Sequence, residues 1–205
     1  MEYIDKIFYI NLDKRTDRKQ EIEEELTRMG LNAERYPAIH TPQSGIVGCG
    51  YSHLNVLKMA RDQRLKNVLI LEDDFMFLVD RETLDREMRK FFESDLGRDF
   101  DVLMISYIIQ GDREVNGYSN VRKVLNGQTA SGYIVNERYY NTIIDLYEWA
   151  IPLLEQTNEH WNYANDHVWK RLQPVDDWYY TTLRIGRQRC GYSDNKMCYM
   201  KSIDG

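Results

Sequence analysis

Short apolar runs alternate with amphipathic charged runs through the first hundred residues of the chain. DKIFYINL (5–12) is β-branched and aromatic, the pattern of a buried strand. It leads into DKRTDRKQEIEEELTRMG, where Ile22, Leu26 and Met29 fall at i, i+4 and i+7, one apolar stripe on a charged helix. Gly30 follows where a C-terminal cap belongs. NAERYPAIH (32–40) predicts a second strand, which Pro37 makes irregular or an edge. The glycine-punctuated QSGIVGCG then opens a helix, YSHLNVLKMARDQRL, with Leu54, Leu57 and Ala60 toward a core. NVLILEDD returns as a strand, residues 80–96 read as a helix through Leu84, Met88 and Phe91, and DVLMISY (101–107) is another apolar strand.

Strands alternating with helices predict an α/β fold with a mostly parallel, Rossmann-like central sheet covered by helices. Ligands of such sheets bind beyond the carboxyl ends of the strands. Past residue 108 the pattern changes. GDREVNGYSN is turn-rich, VRKVLNGQTASGYIVN reads as two strands, and ERYYNTIIDLYEWAIPLLEQ as a helix. A short helix, NYANDHVWKRLQ, precedes the strand-like DWYYTTLRIG and a polar tail. No Ser/Gly linker or repeat divides the chain, so residues 1–205 read as one domain.

Composition narrows the function. The net charge of −6 and the absence of a basic block argue against a nucleic-acid binder. Three cysteines with no C-x-x-C pair suit a reducing compartment and offer no zinc motif. The N-terminus shows no signal peptide, and no stretch approaches the roughly 20 apolar residues of a membrane span. The expectation is a soluble, cytoplasmic protein.

The candidate chemistry centres on LILEDDF, where a buried strand ends in Glu72, Asp73 and Asp74. Continued strand geometry puts Glu72 and Asp74 on one face and Asp73 on the other. Two such charges about 4 Å apart repel by about 4 kcal/mol near a protein surface, and a bound cation reverses that. Mg²⁺ and Mn²⁺ favour carboxylates plus substrate phosphates. The plain alternative is that the acids cap a turn or pair with surface cations. After the first strand, Asn11, Asp13, Arg15, Thr16 and Arg18 can face a nucleotide, or Arg15 and Arg18 can simply pair with Glu21 or Glu23. GCGYSH sets Gly48, Gly50, Ser52 and His53 at a helix start, where free N–H groups favour anions. His53 by itself reads as a packed or capping residue.

FYINLDKRTDR, GCGYSHLNVLK, LILEDD, TASGYIVNERYYNTII, NDHVWKRL and QRCGYSD, in this order and spacing, resemble glycosyltransferase family 25 across nearly the whole chain. That group includes lipopolysaccharide-modifying sugar transferases and collagen galactosyltransferases. The resemblance implies the Rossmann-like nucleotide-diphospho-sugar transferase fold, GT-A type, with helices on both sheet faces. EDD becomes a variant D-x-D motif, with Mn²⁺ or Mg²⁺ held by Glu72 and Asp74. Residues 1–107 become the nucleotide-binding half and 108–205 the donor-sugar and acceptor half. Transfer from a UDP-sugar (glucose, galactose or N-acetylglucosamine) to a glycan or other hydroxyl acceptor, with inversion, is implied. Asn11, Arg15, Ser52 and His53 would serve the nucleotide pocket, and Asp73 the ribose or sugar. Thr129 and Tyr133 would border the donor sugar, and Gln188, Ser193 and Asp194 would close over the diphosphate. Asp166 is the candidate base, unless it only caps its helix or pairs with Lys170; Asp176 and Asp177 are its alternates. The rival readings are an inactive nucleotide-sugar binding module and a metal-dependent phosphohydrolase. The chain ends soon after the last motif, so the acceptor of the larger members does not carry over.

Overall fold

The computed structural model describes residues 1–42, 44–193 and 198–200, with side chains through Cys190. Its elements run β1 Lys6–Asn11, α1 Thr16–Arg28, β2 Glu34–Pro37, α2 Gly45–Asp62, β3 Asn67–Glu72, β4 Phe75–Phe77, α3 Arg81–Phe92, α4 Leu96–Asp99 and β5 Val102–Met104. Then follow β6 Ile108–Val115, β7 Tyr118–Gln128, β8 Gly132–Asn136, α5 Tyr140–Thr157, α6 His160–Tyr163, α7 Asn165–Val168, β9 Trp178–Thr181 and β10 Gly186–Gln188. A last pair, β11 Gly191–Ser193 and β12 Cys198–Met200, is antiparallel.

Strand periodicity sorts the apolar side chains into two cores. Phe8 and Ile10 of β1, Val68 and Ile70 of β3, and Tyr133 and Val135 of β8 face one layer, packed under α2 and α5. Ile7, Tyr9, Leu69, Leu71 and Ile134 face the other, with α1 and α3. The predicted helix stripes lie where burial requires them: Ile22, Leu26 and Met29, then Leu54, Leu57 and Ala60, then Leu84, Met88 and Phe91 are all buried. Burying each such side chain contributes about 1.5–3 kcal/mol. Helix α1 ends as its sequence requires: Gly30 takes φ +59°, and the Leu31 N–H reaches back to the Leu26 carbonyl at 2.9 Å.

The eight-stranded sheet has the order β2-β1-β3-β8-β5-β9-β7-β6. Strand β2, which carries Pro37, is an edge, as Pro37 predicted. Strands β1, β2 and β3 pair in parallel, as do β5 and β9. Strand β8 inserts antiparallel between β3 and β5, and β7 antiparallel between β9 and β6. All strands of the sheet except β8 and β7 thus point one way, while the pairing itself is mixed. The stretch expected as a turn-rich loop, GDREVNGYSN, is instead the turn end of the β6–β7 hairpin, with Gly117 at φ +85° in an Asn-Gly turn. Alternating polarity there was masked by its charges. No helix among the described residues is long and apolar enough to cross a membrane.

Candidate functional site

Strand β3 stops at Glu72, and residues 73 and 74 form a turn. That turn breaks the alternation expected of a continued strand. Glu72 alone faces α2, while Asp73 and Asp74 share a partner on α1. The Arg18 guanidinium donates one nitrogen to Asp73 at 3.0 Å and to Asp74 at 2.9 Å. Asn11, at the end of β1, donates to the other Asp73 oxygen at 2.7 Å and is itself held by Arg35 at 3.0 Å. Gln188 reaches Asp74 at 2.9 Å, because β10 pairs antiparallel with β4 and sets Gln188 opposite Phe75. The neighbouring Arg189 N–H donates to the Asp74 carbonyl at 2.6 Å.

On the α2 side the network is neutral. His53 is fully buried, with Nδ1 2.8 Å from the Tyr133 hydroxyl and Nε2 3.1 Å from Glu72. An ionised carboxylate only accepts, so Nε2 carries the proton toward Glu72 and the Tyr133 hydroxyl donates to Nδ1. The Cys49 thiol adds a third contact, to the same Glu72 oxygen at 3.5 Å, and Asn165 donates to Cys49 at 3.7 Å.

These surroundings push the carboxyls apart. Burial alone would raise Glu72, but the hydrogen bonds from His53 and Cys49, with the Arg18 charge, hold it below its usual range. Asp74 is pushed up to about 7, first by burial and then by the charge of Glu72, against the pull of Arg18. Asp73 is also raised by burial, despite Asn11 and Arg18. One Asp74 oxygen, Oδ1, is buried with no hydrogen-bond partner. A carboxylate oxygen without a partner among three carboxylates is a place for a cation, and the hard oxygen donors suit Mg²⁺ or Mn²⁺. Asp74, and Glu72 at the strand end before it, are the carboxylates that could hold such an ion.

Asp166 lies near the start of α7, close enough to Cys49 for its charge to act on that thiol. The Thr129 N–H donates to its Oδ2 at 3.2 Å. Thr129 does so at φ +89°, a costly conformation for a β-branched residue. Lys170 bonds Gln128 and Gln110 instead of Asp166. The alternates sit elsewhere: Asp176 and Asp177 precede β9, at the N-terminal end of the parallel strands, opposite the end of β3 where the site lies, and Tyr139 and Asp101 hold them there.

Other expected positions differ. Ser52 is fully buried; its hydroxyl donates to the Gly48 carbonyl at 2.7 Å and accepts from the Ile39 N–H at 2.8 Å, pinning the segment after β2 to α2. Tyr133 is likewise fully buried against His53, so it supports the site from behind rather than bordering a sugar. Helix α2 begins at Gly45, so Gly48 to His53 lie inside it and not at its anion-favouring end. A Cβ on Gly48 would stand 2.2 Å from the Ile39 carbonyl, so this glycine serves close packing. Arg15 forks onto Asp17 at 2.8–2.9 Å, leaving the acid-clamping position to Arg18. Gln188, Asn11 and Asp73 do converge. The Ser193 side chain and Asp194 lie outside the described residues. Arg18, which the sequence placed either facing a nucleotide or pairing with Glu21 or Glu23, clamps Asp73 and Asp74 instead; Cys49, Asn165 and Arg189 were not singled out by sequence as site residues.

No protein-family model matches the chain. A Glycosyltransferase 25 family member of Drosophila melanogaster is 31% identical, over 36% of this chain and 16% of its own length. Human procollagen galactosyltransferase 2 is 33% identical with the same coverages. The chain therefore aligns with 16% of the length of the curated relatives it matches. A solved glycosyltransferase involved in the glycosylation of the major capsid of PBCV-1 superposes with a TM-score of 0.52 at 11% identity, covering 92% of this chain and 93% of that one. The fold is the α/β, GT-A type of a glycosyltransferase. In sequence the chain is similar to glycosyltransferase family 25 proteins.

Proposed function

We propose that the chain is a glycosyltransferase that moves a hexose from a UDP-sugar to an acceptor hydroxyl with inversion, in one domain whose residues 1–107 bind the nucleotide. One observation carries this reading: two residues joined by a backbone hydrogen bond, from the Arg189 N–H to the Asp74 carbonyl, each carry a buried side-chain atom without a partner, of opposite sign. Asp74 Oδ1 lacks a donor, and Arg189 Nε lacks an acceptor although another guanidinium nitrogen lies 3.6 Å from Glu25. A divalent cation on the first and a diphosphate oxygen on the second satisfy both.

Asp74 and Glu72 would hold the ion, and when bound it would neutralise negative charge growing on the departing UDP. Arg189 and Gln188 would brace that diphosphate from the β10 side. Asn11, fixed by Arg35 and by Asp73, shapes the nucleotide edge. Asp73 stays clamped by Arg18, so its carboxylate faces ribose or sugar already oriented. Asp166 is held by the Thr129 N–H at one oxygen; the other takes the acceptor hydroxyl's proton on the sugar face away from UDP. A glycan acceptor and a glucose, galactose or N-acetylglucosamine donor are the substrates of this reading.

A panel of nucleotide sugars with Mn²⁺, read as UDP release, tests it, with Asp74→Ala as control. Release from one UDP-sugar, absent in the variant, is the expected result. No UDP binding and no release from any donor would remove the nucleotide-sugar reading.

A further inference from the structure

Cys49 and His53 stand four residues apart on one face of α2, and Glu72 meets both at the end of β3. The sulfur, the imidazole nitrogen and a carboxylate oxygen all lie within 4.8 Å of one another. Zinc, with bonds of about 2.3 Å to sulfur and about 2.0 Å to nitrogen and oxygen, sets tetrahedral ligands roughly 3.5 Å apart for S···O and roughly 3.3 Å for N···O. The structure has 3.5 Å for Cys49 to Glu72 and 3.1 Å for His53 to Glu72. Sequence spacing gave no zinc motif because one ligand comes from a strand end and only one is a cysteine.

The groups behind the ligands are also in place. A metal-bound histidine needs its second nitrogen oriented, and Tyr133 orients His53 through Nδ1. Asn165 steadies the sulfur. Beside Tyr133 stands the buried hydroxyl of Tyr147. Glu72 and Cys49 are partly exposed, which leaves an approach for the ion and for water as a fourth ligand.

We propose that Cys49, His53 and Glu72 form a site for a borderline-soft divalent cation, zinc foremost, whose occupancy withdraws Glu72 from the sugar-nucleotide site. The proton inventory closes. Cys49 releases its thiol proton to solvent and binds as thiolate. The His53 proton moves from Nε2 to Nδ1, freeing Nε2 for the ion. Tyr133 then accepts from Nδ1 and turns its own proton to the Tyr147 oxygen, so one proton leaves per ion bound. Hard Mn²⁺ or Mg²⁺ prefers the carboxylate set at Asp74, so the two sites sort cations by softness and share one ligand.

Binding stands apart from the transferase reading; only the inhibitory consequence rests on it. Co²⁺ titration of the full chain without nucleotide is the direct test. The expected result is tetrahedral visible bands with a sulfur-to-cobalt charge-transfer band in the near ultraviolet. Zinc should displace them, Cys49→Ser should lose the charge-transfer band, and Asp74→Asn should keep it. Near-ultraviolet circular dichroism checks that Cys49→Ser is folded. Cobalt spectra without a thiolate band, or a band that survives Cys49→Ser, would overturn the site. If UDP release is found, zinc should inhibit it, and the inhibitory concentration should rise at least about tenfold in Cys49→Ser. Zinc binding without inhibition would remove the shared-ligand half alone.

Discussion

The two sides of the β3 end solve the same problem in opposite ways. Toward α2, Glu72 is kept ionised by a neutral chain of His53, Tyr133 and Cys49. Toward α1, two carboxylates share the Arg18 cation, and one oxygen is left over. The difference lies in what holds the charge when no ligand is bound. The α2 side is hydrogen-bonded on itself, whereas the α1 side carries an excess of negative charge that a proton on Asp74 or an added cation relieves.

The comparison breaks hardest at Asp74. Asp74→Ala should lower Mn²⁺-dependent UDP release by roughly a hundredfold or more, while His53→Gln, which loosens only Glu72, should cost less. Equal losses would mean the two sides are not distinct. Next comes Arg18. Replacing it with Met leaves two buried carboxylates facing each other, which should destabilise the metal-free chain by about 3–5 kcal/mol in urea unfolding. Added Mn²⁺ should return part of that stability in the variant. A loss that Mn²⁺ does not touch would place Arg18 outside the cation site.

A subtler handle is pH. Burial and the Glu72 charge push the Asp74 carboxyl up to about 7, well above the ordinary aspartate range. Its folded value is raised, so its contribution to stability is present in acid and is lost as pH rises through about 7. The metal-free chain should lose on the order of 1 kcal/mol per pH unit across that window relative to Asp74→Asn. Mn²⁺ should flatten the difference, because the ion replaces the proton. Melting temperatures of both proteins between pH 5 and 8 measure it, and parallel curves would refute it. The smallest expected effect is at Thr129, whose φ of +89° suits glycine. Thr129→Gly should raise stability by about 1 kcal/mol and slow turnover by loosening Asp166. Unchanged turnover would mean that the strain serves something other than Asp166.

Much of this was legible in the residues, and the failures have physical causes. Apolar runs gave β1, β3 and β8, and stripes at helical spacing gave α1, α2 and α3, because burial on both sheet faces imposes those periods. The β6 half of the β6–β7 hairpin was hidden because its charged residues, Asp112 and Glu114, pair across to Arg122 rather than with solvent. At the site, Glu72, Asp73 and Asp74 announced themselves by sitting after a buried strand. Their division between two helices did not, since one turn peptide decides it. Arg15 and Arg18 are indistinguishable in sequence; helix phase sends one to Asp17 and the other to the acids. Ser52 and Tyr133 were legible as important but not as buried, because burial depends on what α2 packs against.

Calorimetric titration of UDP into the chain, with and without Mn²⁺, tests the central claim most directly. The account predicts that Mn²⁺ tightens UDP binding, that UDP tightens Mn²⁺ by the same factor, and that Asp74→Asn abolishes both effects. UDP binding that is indifferent to Mn²⁺, or a coupling that survives Asp74→Asn, would contradict it.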